Sequence, residues 1–435
     1  MRDIATDLYA ERLETQLIVL TLIAQGFALV QLVAIARLPR NQETMEQNVI
    51  RRRGTGLRGI DSSKVSPGYT LFAHLTSPGI VRMIDNTGVE VRRWYLPARP
   101  GRHVRILPNG NLAYNGVHPD APRLFPLWQK YRGGLMIQID PSGKTVQRWE
   151  DPLAHHDQNH LDDGTLLYTT LQPLSDAGAA TVQSGIPGTE APDGKIYSDC
   201  IKHVDPRTGE LLWFWRLIEH VGPSVFPLQP HYTRDHYPLI NSVALLRDGN
   251  ILASLRSVSA VIIIHRDTGK VIWHLDSTVV AQQHHATEME DDSILIFDNG
   301  VYRHHESFPY SRVIQVDRAA KQKVWQYREK NPMTFFTPFM GGAQRLANGN
   351  TLITEAANGR IFEVTGEGEM VWEYVVDTFA TYEGLDATEL EGMFDYPANA
   401  IFRAYKYTPE EVPWLPEVSA VNEGQTTDHA VQVKL

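Results

Sequence analysis

From Gly68 onward, short apolar runs alternate with polar turns in a pattern that repeats along the chain. Each repeat begins with an apolar segment, a turn of the Asn-Gly or Asp-Gly type, and a second apolar segment. A third segment follows, passes through a turn with an aspartate and a glycine, and leads into a fourth segment that carries a tryptophan. Such dipeptides between apolar runs are a strong hairpin signal, because type I′ turns need positive φ at two successive residues. The pattern therefore predicts four short antiparallel strands per repeat.

The tryptophan-bearing half of the repeat can be recognised six times. The copies end at Trp94, Trp149, Trp213, Trp273, Trp325 and Trp372. Six such copies predict an all-β fold, a six-bladed β-propeller over residues 67–407, because radial packing covers both faces of every four-stranded blade. Five or seven blades are the alternatives. We expect residues 399–407 to supply the strand that closes the ring, and residues 408–435 to form a tail.

The chain before the repeats has a different character. Residues 17–36 contain no charged side chain, and roughly 20 such residues span a hydrocarbon layer about 30 Å thick. We expect residues 1–40 to form a hydrophobic transmembrane helix that anchors the protein with a single pass, and residues 41–66 to form a linker. A cleaved signal peptide and a docked amphipathic helix are the alternatives. Arginines concentrate after the segment, which favours a cytoplasmic position for the large domain.

Composition narrows the classes of partner. The 435 residues carry a formal net charge of -10 and show no basic stripe interleaved with aromatic residues, so we expect no nucleic-acid partner. Cys200 is the only cysteine, which excludes an intrachain disulfide and a zinc-finger spacing. The sequence contains neither a GxSxG serine-hydrolase elbow nor a glycine-rich phosphate loop.

One polar position recurs in the first hairpin of the repeats. Alignment on the two-residue turn and the apolar residue after it gives, at this position, His156, Asn241, His284 and Gly341. If the repeats are structurally equivalent, these positions face the same place, one mouth of the central channel. His155 and His285 are sequence neighbours of the two histidines and point to the other face of a strand.

Several histidines in one place suit two kinds of chemistry. They could bind a metal ion, with Asp157 and Asp298 completing the ligand set. Alternatively, one histidine is a nucleophile while the others position a group and move protons. Arg256 favours the second chemistry, because a guanidinium near imidazoles binds anions with planar or tetrahedral oxygens.

Five short segments carry a resemblance to a known family. They are Gln283-His284-His285-Ala286, Phe297-Asp298-Asn299-Gly300, Tyr310-Ser311-Arg312, Asn241-Ser242-Val243 with Arg256, and His155-His156-Asp157. These segments resemble the bacterial arylsulfate sulfotransferase family, whose members are six-bladed propellers. The similarity extends from about residue 103 to residue 374. Two residues before Asn241 the family has a histidine, and this chain has Leu239.

The resemblance implies transfer of a sulfuryl group in two steps without a nucleotide sulfate donor. His284 matches the family's nucleophile, which takes the group from an aryl sulfate and passes it to a phenol. His156 and Arg256 match residues that hold the sulfuryl oxygens, and Asn241 matches a site asparagine. We include His155 as a further candidate substrate-binding residue. No metal or other cofactor is expected, and the best-known members of the family work in the periplasm.

Two other functions stay open. A metal-dependent lyase or hydrolase could use His156 and His284 on the same scaffold. A non-catalytic propeller could bind a ligand or a partner protein, and Leu239 would then reflect a loss of chemistry.

Overall fold

The structure is a computed structural model that describes residues 54–304, 306–382, 385, 394, 396–415 and 430–432. The predicted membrane anchor at residues 17–36 lies outside this part of the chain. Among the described residues, no helix is both long enough and apolar enough to cross a membrane.

The described strands form six sheets. The chain begins with β1 (Gly56–Ile60), followed by the first blade with β2 (Tyr69–His74), β3 (Ile80–Ile84) and β4 (Glu90–Tyr95). The second blade contains β5 (Pro100–Ile106), β6 (Leu112–Val117), β7 (Gly134–Ile139) and β8 (Thr145–Glu150). The third contains β9 (Ala154–His160), β10 (Leu166–Pro173), β11 (Tyr197–Asp205), β12 (Glu210–Arg216) and the two-residue β13 (His236–Tyr237).

The remaining three blades follow in chain order. The fourth contains β14 (Ile240–Leu245), β15 (Ile251–Leu255), β16 (Ala260–Ile264) and β17 (Val271–Leu275). The fifth contains β18 (His284–Glu288), β19 (Ile294–Asp298), β20 (Arg312–Val316) and β21 (Lys323–Tyr327). The sixth contains β22 (Gly342–Arg345), β23 (Thr351–Glu355), β24 (Arg360–Val364) and β25 (Met370–Val375). The last two strands are β26 (Ile401–Tyr407) and β27 (Ala430–Gln432).

Helices are short in the described residues. They are α1 (Trp128–Tyr131), α2 (Asp176–Thr181), α3 (Leu217–His220) and 3-10 turns at Pro332–Thr334, Ala356–Asn358 and Pro409–Glu411. The prediction of an all-β, six-bladed propeller is therefore confirmed.

The ring is closed by strands from both ends of the propeller. β26 pairs with β2 and becomes the inner strand of the first blade, as predicted for residues 399–407. β1 pairs with β25 at the outer edge of the sixth blade, so Gly56–Ile60 belongs to a sheet although residues 41–66 were predicted as a linker. β27, within the predicted tail, pairs with β4. Sequence pattern does not show such edge strands, because backbone hydrogen bonds hold them and they need no alternating apolar side chains.

The repeated tryptophans connect neighbouring blades. Four indole N–H groups donate to backbone carbonyl oxygens in the outer turn of the next blade. The pairs are Trp213 with Arg266 at 2.9 Å, Trp273 with Arg318 at 2.7 Å, Trp325 with Gly366 at 2.7 Å and Trp372 with Asn86 at 2.8 Å. A large apolar ring with one polar edge suits this place, because it fills the space between two sheets and satisfies a turn carbonyl.

The inner strands surround the channel in the order β26, β5, β9, β14, β18 and β22. Several of them are bulged where the sequence predicts a site. Register shifts occur at His156 and Asp157 in β9, at Asn241 in β14 and at His285 in β18. A bulge changes the direction of a side chain on its strand, and this lets neighbouring residues of one strand serve different layers of the channel.

Candidate functional site

The repeat register predicts a polar ring of four residues around one mouth of the channel, namely His156, Asn241, His284 and Gly341. His284 has the best defined contacts of these four. Its Nδ1 lies 2.7 Å from Asn299 Oδ1, and its Nε2 accepts a hydrogen bond of 3.1 Å from the Met340 N–H. The Asn299 amide nitrogen donates to the carbonyl oxygens of Thr337 and Met340, each at 2.8 Å. Since both N–H groups of Asn299 are used in this way, its oxygen faces His284. The proton of the neutral imidazole therefore sits on Nδ1, and Nε2 carries the lone pair.

The imidazole of His284 is neutral at pH 7. Burial lowers its pKa well below the ordinary value, and the positive charge of Arg256 acts in the same direction. The hydrogen bond to Asn299 opposes this shift but does not reverse it. A buried neutral imidazole with an oriented lone pair has the properties of a nucleophile.

His155 and His156 occupy different places. The Nδ1 atoms of the two rings are 2.9 Å apart. The His156 imidazole lies 4.4 Å from the Tyr131 ring, tilted by 35°, and also contacts Phe402. His155 Nε2 instead lies 3.1 Å from Asp199 Oδ1, away from the polar ring. His156 is therefore the channel-facing member of the pair, and His155 lies behind it.

The Asn241 side chain is directed to the backbone. Its amide nitrogen donates a 2.8 Å hydrogen bond to the carbonyl oxygen of Gln283, the residue before His284. The backbone carbonyl oxygen of Asn241 accepts a 3.0 Å hydrogen bond from the Arg403 guanidinium. These contacts support a role in holding the strand that carries the candidate nucleophile.

Gly341 completes the predicted set without a side chain. It adopts φ +107°, and a Cβ added there would meet the ring of Phe297 at 2.5 Å. Glycine is therefore required by both the backbone conformation and the close approach of an aromatic ring.

Arg256 is half-buried beside the ring. Its guanidinium donates to the Tyr232 hydroxyl and, at 3.2 Å, to the Pro338 carbonyl oxygen, and it lies over the Tyr232 ring at 5.3 Å. Among the described residues, no carboxylate pairs with it. Its charge is therefore free to act on an anion.

Arg102 is a further candidate site residue, which the motifs in the sequence do not include. It is 4% exposed, its Nη1 lies 3.4 Å from Met340 Sδ, and it lies 5.8 Å over the Phe402 ring. Its Nε has no hydrogen-bond partner, and no carboxylate of the described chain forms an ion pair with it. The register that gives His156 gives Arg102 when it is applied to the Asn109-Gly110 turn of the second blade. A signal for this residue was thus present in the sequence.

A second polar layer lies deeper in the channel. Arg403 Nη1 pairs with Asp157 Oδ1 at 3.0 Å, and His103 and His285 flank this pair. A cavity of 1430 Å³ on the side of the hairpin turns reaches all four residues but neither His284 nor His156. The ion pair of Arg403 and Asp157 therefore separates this cavity from the ring.

The metal ligands proposed from sequence are occupied by other partners. Asp157 pairs with Arg403, and Asp298 pairs with Arg303 at 3.1 Å and Arg312 at 2.7 Å. A carboxylate held by guanidinium groups is a poor ligand for a cation, so these two aspartates do not complete a metal site with the ring histidines.

Comparisons with known proteins identify the family of this chain. The family model described as arylsulfotransferase (ASST) matches residues 132–377, more than half of the chain. No curated protein matches the chain. Among solved structures, a protein of unknown function from Bacteroides caccae has 14% identity and a TM-score of 0.48, with 78% of this chain and 99% of that chain covered. A catalytically inactive virginiamycin B lyase from Staphylococcus aureus has 10% identity and a TM-score of 0.41, with 74% and 90% covered. On the strength of the family match, the chain belongs to the arylsulfotransferase family.

Proposed function

We propose that the protein transfers a sulfuryl group from an aryl sulfate to a phenol through a sulfated His284. The observation that carries this proposal is the hydrogen bonding of His284. Asn299 holds the proton on Nδ1 while burial keeps the ring neutral, so Nε2 carries the lone pair. Family membership supports the same reaction class.

In the first step, the Nε2 lone pair forms a bond to sulfur, and the bond between sulfur and the aryl oxygen breaks. The oxygen leaves as a phenoxide with the bonding electrons. Nε2 first gives up its 3.1 Å hydrogen bond from Met340, at a net cost of about 1 kcal/mol. The positive charge that develops on the imidazole strengthens the Nδ1–H bond to Asn299.

In the second step, a phenol oxygen attacks the same sulfur and gives up its proton to solvent, which returns a proton to the phenoxide released in the first step. The nitrogen–sulfur bond breaks, and its electrons return to Nε2 as the lone pair. The products are a new aryl sulfate and the starting enzyme, so no oxidant or cofactor is consumed.

Two guanidinium groups are suited to the sulfuryl oxygens. Arg102 and Arg256 approach the ring from the second and fourth blades, and neither is neutralised by a carboxylate of the described residues. Cationic donors aimed at the transferring oxygens offset their charge, by analogy with phosphoryl transfer. In this proposal His156 donates from its Nε2 to a sulfuryl oxygen. Asn241 holds the strand of His284 through the Gln283 carbonyl oxygen, and His155 contacts His156 from behind.

The test is intact-protein mass spectrometry after brief exposure to a chromogenic aryl sulfate, followed by peptide mapping. We expect a sulfuryl adduct on His284 that disappears when a phenol is added. His284→Asn should lose both the adduct and phenol release while remaining folded. His203→Asn is a matched control, because His203 is also buried but lies on β11 with its Nε2 2.6 Å from the Thr165 hydroxyl. Undiminished phenol release by His284→Asn contradicts the proposal.

Membrane anchoring through residues 17–36 stays a prediction from the sequence. The side of the membrane is part of the same prediction.

A further inference from the structure

Three buried side chains behind the ring converge on one point. His155 belongs to β9, Asp199 to β11 and His236 to β13, and their exposed fractions are 0%, 0% and 2%. One nitrogen of each histidine and one carboxylate oxygen all lie within 4.8 Å of one another. The pairing of β13 with the start of β11 brings His236 to this place, although 37 residues separate it from Asp199.

The spacing of these atoms is that of neighbouring ligands around one ion. His155 Nε2 lies 3.1 Å from Asp199 Oδ1, and His236 Nε2 forms a 3.0 Å hydrogen bond with Asp199 Oδ2, which a bound ion would replace. Bonds of about 2.0–2.2 Å to a common ion place adjacent ligand atoms about 2.8–3.6 Å apart. Despite their distance, His155 Nε2 and Asp199 Oδ1 do not form an aligned hydrogen bond, and neither has another partner. This geometry is expected when His155 Nε2 and Asp199 Oδ1 are both directed at an ion between them and not at each other.

Each of the three side chains is also held from behind. His155 Nδ1 contacts His156 Nδ1 at 2.9 Å, and His236 Nδ1 contacts the Tyr131 hydroxyl at 2.7 Å. Asp199 Oδ2 accepts a 2.8 Å hydrogen bond from the Leu239 N–H. Partners of this kind on the second ring nitrogen orient metal-bound histidines.

The charge around Asp199 leaves room for a cation. No lysine or arginine of the described residues pairs with this carboxylate, and its only ion-pair partners are the two histidines. Phe125 packs against His236, and Trp128 packs against His155, so the site is enclosed by aromatic rings. A buried carboxylate in such surroundings is costly unless a positive charge compensates it.

We propose that His155, Asp199 and His236 bind a divalent transition-metal ion behind the ring. Two imidazoles and one carboxylate suit Zn²⁺ or Fe²⁺, whereas Mg²⁺ and Ca²⁺ prefer oxygen ligands. This assignment differs from the metal set considered from sequence, because it uses neither His284 nor the paired aspartates 157 and 298.

Metal binding would set the position of protons in the ring. A nitrogen that binds the ion carries no proton, so neutral His155 holds its proton on Nδ1. This N–H donates a hydrogen bond to His156 Nδ1. His156 then carries its own proton on Nε2, which turns that nitrogen into a donor. The same reasoning makes His236 Nδ1 a donor to the Tyr131 oxygen. This consequence, unlike the metal site itself, rests on the proposed function, in which His156 donates to a sulfuryl oxygen.

The experiment measures metal content without any sulfate ester, so its result is independent of the proposed reaction. Full-length protein, with any affinity tag removed, is treated with a chelator and then incubated with Zn²⁺, Co²⁺ or, without oxygen, Fe²⁺. After removal of free ion, we expect close to one ion per chain and a cobalt spectrum typical of nitrogen and oxygen ligands. Asp199→Asn and His236→Gln should each weaken binding by at least about 100-fold, and Tyr131→Phe by about 10-fold.

His203→Gln is the matched control, because His203 is a buried histidine of the same strand β11 outside the cluster. It should bind metal as the wild type does. Folded wild-type protein that takes up none of the three ions overturns the proposal, and the cluster is then a hydrogen-bonded network around Asp199. Equal metal content in the wild type and in folded Asp199→Asn also overturns it.

Discussion

Replacement of Asn299 tests the hydrogen bond that fixes the nucleophile. Asn299→Ala removes three hydrogen bonds of a fully buried amide, one to His284 Nδ1 at 2.7 Å and two to backbone carbonyl oxygens at 2.8 Å. Without its partner, the imidazole can carry its proton on Nε2, where the lone pair is needed. The variant should therefore lose activity and also some stability, for separate reasons.

The size of each loss follows from the contacts. A hydrogen bond to a group that becomes charged contributes about 1.5–3 kcal/mol. At about 1.4 kcal/mol per factor of ten, kcat should fall about 10- to 150-fold. The free energy of unfolding should fall by about 2–4 kcal/mol, because buried carbonyl oxygens and an N–H lose their partner.

The assay separates the two effects. kcat is measured for transfer from 4-nitrophenyl sulfate to phenol, and stability is measured by urea unfolding. Asn115→Ala is the matched control, because Asn115 is equally buried on β6 and its Oδ1 accepts a 3.0 Å hydrogen bond from the Gly134 N–H, away from the ring. It should lose stability and keep kcat. Folded Asn299→Ala with kcat within about twofold of the wild type refutes the reasoning about the tautomer.

Two further predictions concern stability. Burial lowers the pKa of His160 to about 3, so between about pH 3 and 6.5 the unfolded chain binds a proton that the folded protein does not. The free energy of unfolding is therefore highest above about pH 6.5 and falls as the pH decreases through this window. In urea titrations, the decrease in the free energy of unfolding from pH 7.5 to 5.5 should be about 1.4 kcal/mol smaller for His160→Gln than for the wild type. An equal decrease in the two proteins would contradict this. Arg360 forms ion pairs of 2.5 to 2.9 Å with three buried glutamates, so Arg360→Met should cost at least about 3–5 kcal/mol at pH 7.5. Arg247→Met, at an exposed pair, should cost less than about 1 kcal/mol, and equal costs would argue against the role of burial.

The site was partly readable from sequence because the repeats share one register. The register placed His156 and His284 together and, applied to one more turn, also gives Arg102. The register did not show the contact that Asn241 makes, because its side chain bonds to a backbone carbonyl oxygen on the neighbouring blade. It also did not show that Leu239 turns its N–H to Asp199 while its side chain joins an apolar cluster with Phe125 and Trp128.

The sequence by itself determined the propeller, its hairpins and the polar ring, because turn conformation and strand alternation are local properties that a single stretch of chain expresses. Only the tertiary structure decided the outer strand β1, the separation of the ring from the large cavity and the cluster of His155, Asp199 and His236. Those features depend on contacts between residues far apart in the chain. Asp199 stands among both polar and apolar residues of β11, and nothing near it in sequence indicates that two histidines from other strands meet it there.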